Sequence, residues 1–284
     1  MPPIAIIIDT DSSLPLEIAK KHNIMQVPIT VQFGDESFRD VYDIDNPAIF
    51  GRIDKEGKFP TTAAPSPGQF VEAFKSAFEA GAKSVLCFNV SSEVSATYAS
   101  ARTAADMFPD KNIRVVDTRS LCMGQGLMVL AAAEAVASGA SGEEAVAVAK
   151  SVGQHVHLFA SLSTLKYLAM SGRVGQLAAG FAGLLDVKPI LTILDGRLQL
   201  LERVRTQSKS WARTIEVAAE AGAGCRIERM VIIHVKALEA AQQFEKLVQA
   251  AMACPMEIMY AEMNPGLSIH SGSGLVGVVF VTKE

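Results

Sequence analysis

The sequence predicts an α/β protein of two α/β domains, an N-terminal parallel sheet flanked by helices (residues 1–153) and a C-terminal mixed sheet with helices (154–284). Three observations carry this. Over the first 150 or so residues, short apolar runs alternate with stretches of helical period, the pattern of strands joined by crossover helices. The character changes near Gly153, after which Asp195-Gly196 separates two apolar runs as the turn of an antiparallel hairpin would. The length, 284 residues, exceeds the usual size of one core, and 49% apolar content supplies material for two.

The chain opens with the β-branched run Ile4 to Ile8, then Thr10-Asp11-Ser12-Ser13, a helical stretch from Leu16 to Lys21 and a second strand from Met25 to Val31. Acidic and hydroxyl residues at a strand's carboxyl end suit a ligand or metal, since open α/β sheets present ligands at that edge; capping by Ser12 or Ser13 is the simpler reading. Residues 34–45 are polar and read as weakly structured, and Pro47 to Lys55 reads as a short helix. In Pro60-Thr61-Thr62-Ala63-Ala64-Pro65-Ser66-Pro67, three prolines fix much of the backbone around two threonine hydroxyls. A helix from Gln69 to Ala80 follows.

Ser84 to Cys87 begins a strand, and beyond Ser95 the spacing of Tyr98, Ala101, Ala104, Ala105 and Phe108 is helical. Ser91, Ser92 and Ser95 therefore sit where a helix's first N–H groups have no internal partner, a place that suits an anion, although capping by Ser95 alone accounts for the residue. A strand from Ile113 to Asp117 and Ala-rich helices across Gly124 to Val152, broken near Gly139, complete the first half. In the second half, His155 to Ser161 reads as a strand and Leu165 to Met170 as a short helix that exits through Ser171-Gly172-Arg173. The hairpin of Val187 to Leu194 and Leu198 to Thr206 follows. After it come a helix from Ser210 to Ala223, strands at Met230 to Val235, Glu257 to Glu262 and Leu275 to Val281, and a helix from Leu238 to Met252. His270 falls in a small-residue loop, Asn264 to Gly274.

Composition excludes several classes. The longest fully apolar run, Gly126 to Ala133, is far short of the roughly 20 residues of a membrane helix, and no signal segment opens the chain, so a cytoplasmic protein is expected. The four cysteines are scattered without metal-ligand spacing and are expected reduced and unpaired. His155 and His157 share a strand face but lack a third ligand, so no metal is expected. Net charge is −4, without a basic run interleaved with aromatics, which argues against nucleic acid. Gly272-Ser-Gly274-Leu-Val-Gly277 spells a dinucleotide fingerprint but precedes a strand rather than a helix, and no other nucleotide motif occurs.

Six ordered motifs, Thr10-Asp11-Ser12-Ser13, Thr61-Thr62 with Pro65-Ser66-Pro67, Ser91-Ser92 with Ser95-Ala96-Thr97-Tyr98, Leu165 to Val174, Val204-Arg205-Thr206, and His270 with Gly272 and Gly274, resemble those of the DegV family of bacterial fatty-acid-binding proteins over essentially the whole chain. The resemblance implies two α/β domains with one long-chain fatty acid between them, bound as ligand rather than cofactor. Thr62, Ser95 and His270 match the family's carboxylate-binding set. Thr61, Ser92, Arg173, Arg205 and Gly272 match positions near the head group or facing a partner. It also implies a non-enzymatic carrier in phospholipid metabolism that presents the acyl carboxylate to a fatty acid kinase, with transient contact at a membrane surface. Ala63-Ala64 stands where the family commonly has Ser-Gln, and Ala96 where it has Gly, so the head-group contacts are expected to differ from the commonest pattern.

Two other functions are compatible with these residues: a Ser95/His270-dependent acyl-transfer or hydrolytic enzyme, for which no orienting carboxylate motif is present, and an acyl-sensing regulatory module. For a lipid ligand the tail dominates affinity. A dozen or more methylenes contribute about 0.8 kcal/mol each, against roughly 1.5–3 kcal/mol per hydrogen bond to a charged head before desolvation. Such a tail needs an apolar tunnel, for which the small-residue stretch Leu177 to Leu185 offers room.

Overall fold

The computed structural model describes residues 3–171 and 187–283. In chain order, the first half contains β1 (Ile4–Asp9), α1 (Leu16–Lys21), β2 (Ile24–Val27), β3 (Thr30–Phe33), β4 (Glu36–Arg39), α2 (Asn46–Glu56), β5 (Thr61–Ala63), α3 (Pro67–Glu79), β6 (Ser84–Asn89), α4 (Thr97–Ala105), β7 (Asn112–Asp117), α5 (Cys122–Ala137) and α6 (Gly142–Gln154). The second half, among the described residues, contains β8 (Val156–Ser161), α7 (Lys166–Met170), β9 (Lys188–Leu194), β10 (Arg197–Val204), α8 (Gln207–Ala221), β11 (Arg226–His234), α9 (Leu238–Ala251), β12 (Ile258–Glu262), α10 (Pro265–Ser271) and β13 (Val276–Lys283).

The fold is mixed α/β. A parallel sheet runs in the order β2-β1-β6-β7, and a six-stranded mixed sheet in the order β10-β9-β8-β13-β11-β12. β1 and β6 are continuous apolar runs because both faces of the parallel sheet are covered. On one face lie Phe70 and Phe74 of α3 with Ala101 and Ala104 of α4. α5 covers the other face, touching β1 and β6 on one side and β8 and β13 on the other. Its residues from Cys122 to Ala133 are buried all round, so it has no polar stripe. Behind the mixed sheet, Phe244 and Val248 of α9 and Ile215 of α8 close the stack. Full burial of each such side chain contributes about 1.5–3 kcal/mol.

Two expectations need correction. The single strand from Met25 to Val31 is two strands: β2 pairs in parallel with β1, then Pro28 interrupts, and β3 pairs antiparallel with β4 and β5 in a separate three-stranded sheet. Proline has no N–H to continue a ladder. The polar stretch 34–45 contains β4, turned back by Gly34-Asp35; on this edge strand only Phe38 interrupts the polar residues, so alternation gave no signal.

Candidate functional site

The parallel sheet reverses direction of growth between β1, whose successor β2 lies on one side, and β6, whose successor β7 lies on the other. At such a switch point the loops leaving the carboxyl ends of the two strands diverge and leave a crevice. Here those loops are Thr10–Ser13 and 90–96. An open cleft of about 290 Å³ occupies the place, lined by Asp11, Val90, Val94, Ser95 and Ala96 from the loops, Thr62, Ala63 and Ala64 from β5 and its exit, and Gly266, Leu267 and His270 from α10.

Each polar group is placed by its element. Thr62 is the centre of β5, opposite Val31 of β3, with its side chain on the face opposite to that of Thr61. The proline-rich exit of β5 is tied to α4 by Ser100 Oγ, which donates to the Pro65 carbonyl at 2.5 Å. His270 lies in the last turn of α10, not in a loop: Pro265 starts the helix and Gly272, with φ +83°, ends it. α10 is fixed from below. Asn46 Nδ2 donates to the Met263 carbonyl at 2.8 Å, Ser268 Oγ donates to Asn46 Oδ1 at 2.5 Å, and Asn264 Nδ2 donates to the Thr10 carbonyl at 2.8 Å. So held, His270 Nε2 is 3.0 Å from Thr62 Oγ1. Ser95 Oγ accepts the Thr97 N–H at 3.3 Å and lies 2.8 Å from Thr97 Oγ1, so it supports the start of α4 while lining the cleft.

Behind the cleft is a narrower, almost wholly apolar pocket of about 70 Å³ between α5, the mixed sheet and α10. Leu121, Leu168, Leu198, Leu267 and His270 line both spaces, so the cleft that holds Thr62, Ser95 and His270 adjoins the apolar pocket across these five residues. Cys122, Leu158, Leu191, Ile233 and Met263 extend the inner wall. These residues were not legible as a site, because leucines in apolar runs look like ordinary core.

Three predicted residues, Thr62, Ser95 and His270, come together. Others do not. Thr61 is exposed on the outer face of its strand. Ser92 is exposed and donates to Asp117 Oδ2 at 2.5 Å, so its hydroxyl is engaged away from the cleft. Ser91, offered by the sequence as an anion-binding hydroxyl, instead donates to the Gly196 carbonyl at 2.6 Å. Arg205 is exposed just beyond β10 and is not among the residues lining the cleft. Gly272 meets the protein rather than the cleft: a Cβ there would lie 2.3 Å from the Tyr167 ring. Arg173 and the stretch Leu177 to Leu185 lie outside the described residues. His157 stacks on Phe280 with ring centroids 4.9 Å apart, a packing role. Among the described residues no cluster suited to a metal ion occurs, no helix is long and apolar enough to cross a membrane, and all four cysteines are unpaired.

Beneath the cleft two carboxyls are fully buried. Asp9 accepts from the N–H groups of Val90 and Asp11 and from Gln125 and Asn89; burial pushes it up to about 6 against the pull of those bonds. Asp40 is pushed by burial to about 7, despite stabilising contacts from Thr10, Gly266 and Val41. Together they knit β1, β6, α5 and the segment before α2 under α10.

A mixed α/β protein with a cleft of hydroxyls and an imidazole beside an apolar pocket at the switch point is thus defined by its own geometry. A family model described as "Uncharacterised protein, DegV family" matches residues 3–283, and the chain belongs to the DegV family. A DegV domain-containing protein of Streptomyces coelicolor is 32% identical over 280 residues, 99% of each chain. Among solved structures, one described as fatty acid binding of a DegV family protein from Thermus thermophilus superposes with a TM-score of 0.91 at 29% identity, covering 100% of both chains. DegV of Bacillus subtilis, described as a fatty acid binding protein, does so with a TM-score of 0.87 at 26% identity and the same coverage.

Proposed function

We propose that this protein binds a long-chain fatty acid, its carboxylate among Thr62, Ser95 and His270 and its acyl chain in the apolar pocket behind them. The observation that carries the reading is that the two spaces adjoin: Thr62, Ser95 and His270 in one, an apolar interior in the other, five residues shared. The DegV structures from Thermus thermophilus and Bacillus subtilis, both described as fatty acid binding and each aligned over the full chain, support the same ligand class. The site then lies between an N-terminal domain (1–153) and a C-terminal domain (154–284). The hydrogen bonds favour a carrier over an enzyme, since Ser95 is engaged with Thr97 and His270 with Thr62. In this reading the protein is a cytoplasmic carrier that presents the acyl carboxylate to a fatty acid kinase, meets membrane surfaces transiently to load, and uses Arg173 toward the partner.

Mass spectrometry of small molecules extracted from purified protein tests the ligand. A stoichiometric long-chain fatty acid is expected; protein that carries none and does not bind added oleate by calorimetry refutes the reading.

A further inference from the structure

The β9–β10 hairpin crosses from the mixed sheet to the N-terminal half and ends on the very loop that carries Ser95. Its two-residue turn is Asp195-Gly196, both at positive φ, +51° and +79°. Three residues of the N-terminal half clasp it. Ser91 Oγ donates to the Gly196 carbonyl at 2.6 Å, Arg119 Nη2 donates to the Asp195 carbonyl, and Arg197 Nε pairs with Glu93 Oε2 at 2.9 Å. The fit is tight: a Cβ on Gly196 would come within 2.7 Å of Ser91 Oγ and 3.3 Å of Arg119 Cβ. Glycine is therefore required twice, by the turn and by the approach.

The clasp stands at the mouth of the site. Two residues beyond the turn, Leu198 lines both the cleft and the apolar pocket; three to four residues beyond Ser91, Val94 and Ser95 line the facing wall. Leu198, at the border of the two spaces, is thus carried by the same hairpin whose tip the clasp holds. One buried hydrogen bond, from Ser91 to the Gly196 carbonyl, and two contacts at the surface, from Arg119 and from the Arg197–Glu93 pair whose side chains are 67% and 32% exposed, hold the tip. The two surface contacts are weak singly, and the tip hangs on a single buried bond, whereas the walls on either side are buried sheet and helix.

We propose that the β9–β10 turn is a latch, held by Ser91, Arg119 and Glu93, whose opening admits and releases the apolar ligand. For the ligand's identity this rests on the fatty-acid reading above; for the motion it does not.

Cys122 gives a ligand-free readout, because it lines the inner pocket, is fully buried and has its thiol pushed up to about 11 by burial. Its labelling by N-ethylmaleimide, followed by peptide mass, reports how often the passage opens. Arg197→Ala, which removes a surface ion pair, should speed labelling about two- to fivefold, and Ser91→Ala, which leaves the buried Gly196 carbonyl without its partner, about two- to tenfold. The double variant Ser91→Cys with Gly196→Cys places two thiols where a disulfide's Cβ separation of roughly 3.8 Å can be met, and its oxidised form should slow labelling about tenfold. A fluorescent long-chain fatty acid mixed in a stopped-flow instrument should show the same ordering in both association and dissociation rates. Equal Cys122 labelling in wild type, the two loosened variants and the locked one overturns the latch, as do unequal labelling rates with unchanged ligand rates. The two alanine variants decide the matter if strain at residue 196 prevents the cross-linked one from folding. Labelling that follows the expected order in a protein that binds no fatty acid leaves the latch standing and removes the ligand assignment.

Discussion

Thr62→Val is the sharpest probe of the site, because the two side chains are nearly the same shape and differ by one hydroxyl. Thr62 is half-buried at the centre of a short strand, so the substitution leaves β5 intact; valine suits a strand at least as well. What disappears is the 3.0 Å contact to His270 Nε2 and one polar partner for a ligand oxygen. Leaving a charged oxygen partly unpaired costs about 1–3 kcal/mol, equivalent to a five- to 150-fold weaker Kd. The assay is calorimetric titration with oleate for wild type, Thr62→Val, His270→Ala and the double variant. If the threonine and histidine act as one unit, the cycle should show coupling of about 0.5–3 kcal/mol. Unchanged affinity in Thr62→Val, or single effects that simply add, would refute a shared carboxylate site and leave the contact a packing detail of α10.

Further outcomes follow from the buried carboxyl, the packed glycine and Arg173. Asp40 stands near 7 when folded against 3.8 when free, so between those values the folded state holds the extra proton and stability falls as pH rises through that window. Urea unfolding at pH 5 and pH 8 should show wild type losing about 1–4 kcal/mol more than Asp40→Asn across the interval, and parallel losses would contradict the assignment. Gly272→Ala forces a Cβ into the Tyr167 ring at positive φ; the expected cost is about 1–3 kcal/mol, seen as a Tm lower by several degrees, and an unchanged Tm would mean that the ring moves freely. Arg173→Ala should keep oleate affinity near wild type yet lose most acyl phosphate formation with a cognate fatty acid kinase at limiting carrier. Full turnover there would reduce Arg173 to a surface charge.

What could be read from the chain and what could not divides along a physical line. Strands buried on both faces, such as β1 and β6, announce themselves as apolar runs, and α3 and α9 by their period; the hairpin was visible because Asp-Gly has few other uses between two apolar runs. The edge strand β4 was not visible, since an exposed strand with one aromatic has no alternation to detect. Pro, Gly and Ser crowd the segment of His270 and suggest a loop, yet a proline at the first position and a glycine past the last are also the marks of a short helix. Thr62, Ser95 and His270 could be gathered only by their resemblance to family motifs, being 33 and 175 residues apart in successive steps. The apolar pocket was hidden for a different reason: Leu121, Leu168, Leu198 and Leu267 differ from core leucines only in what they fail to touch, and no pattern in sequence records a void. The role of Ser91 is hidden because its partner is a backbone carbonyl about a hundred residues away.

α5, buried from Cys122 to Ala133 and gripped by a sheet on each side, acts as a common partition wall. A wall that belongs to both rooms cannot be given to either. Cutting the chain after α6 would leave the β8 and β13 side of α5 facing water on one fragment, and would strip the mixed sheet of its cover on the other. The cavity therefore sits in a frame that cannot be parted along its midline without sacrificing both cores. A guest as long as a fatty acid must be accommodated by movement at the rim, and any engineered variant with a roomier interior is better sought by trimming the leucines around the pocket than by loosening the two halves.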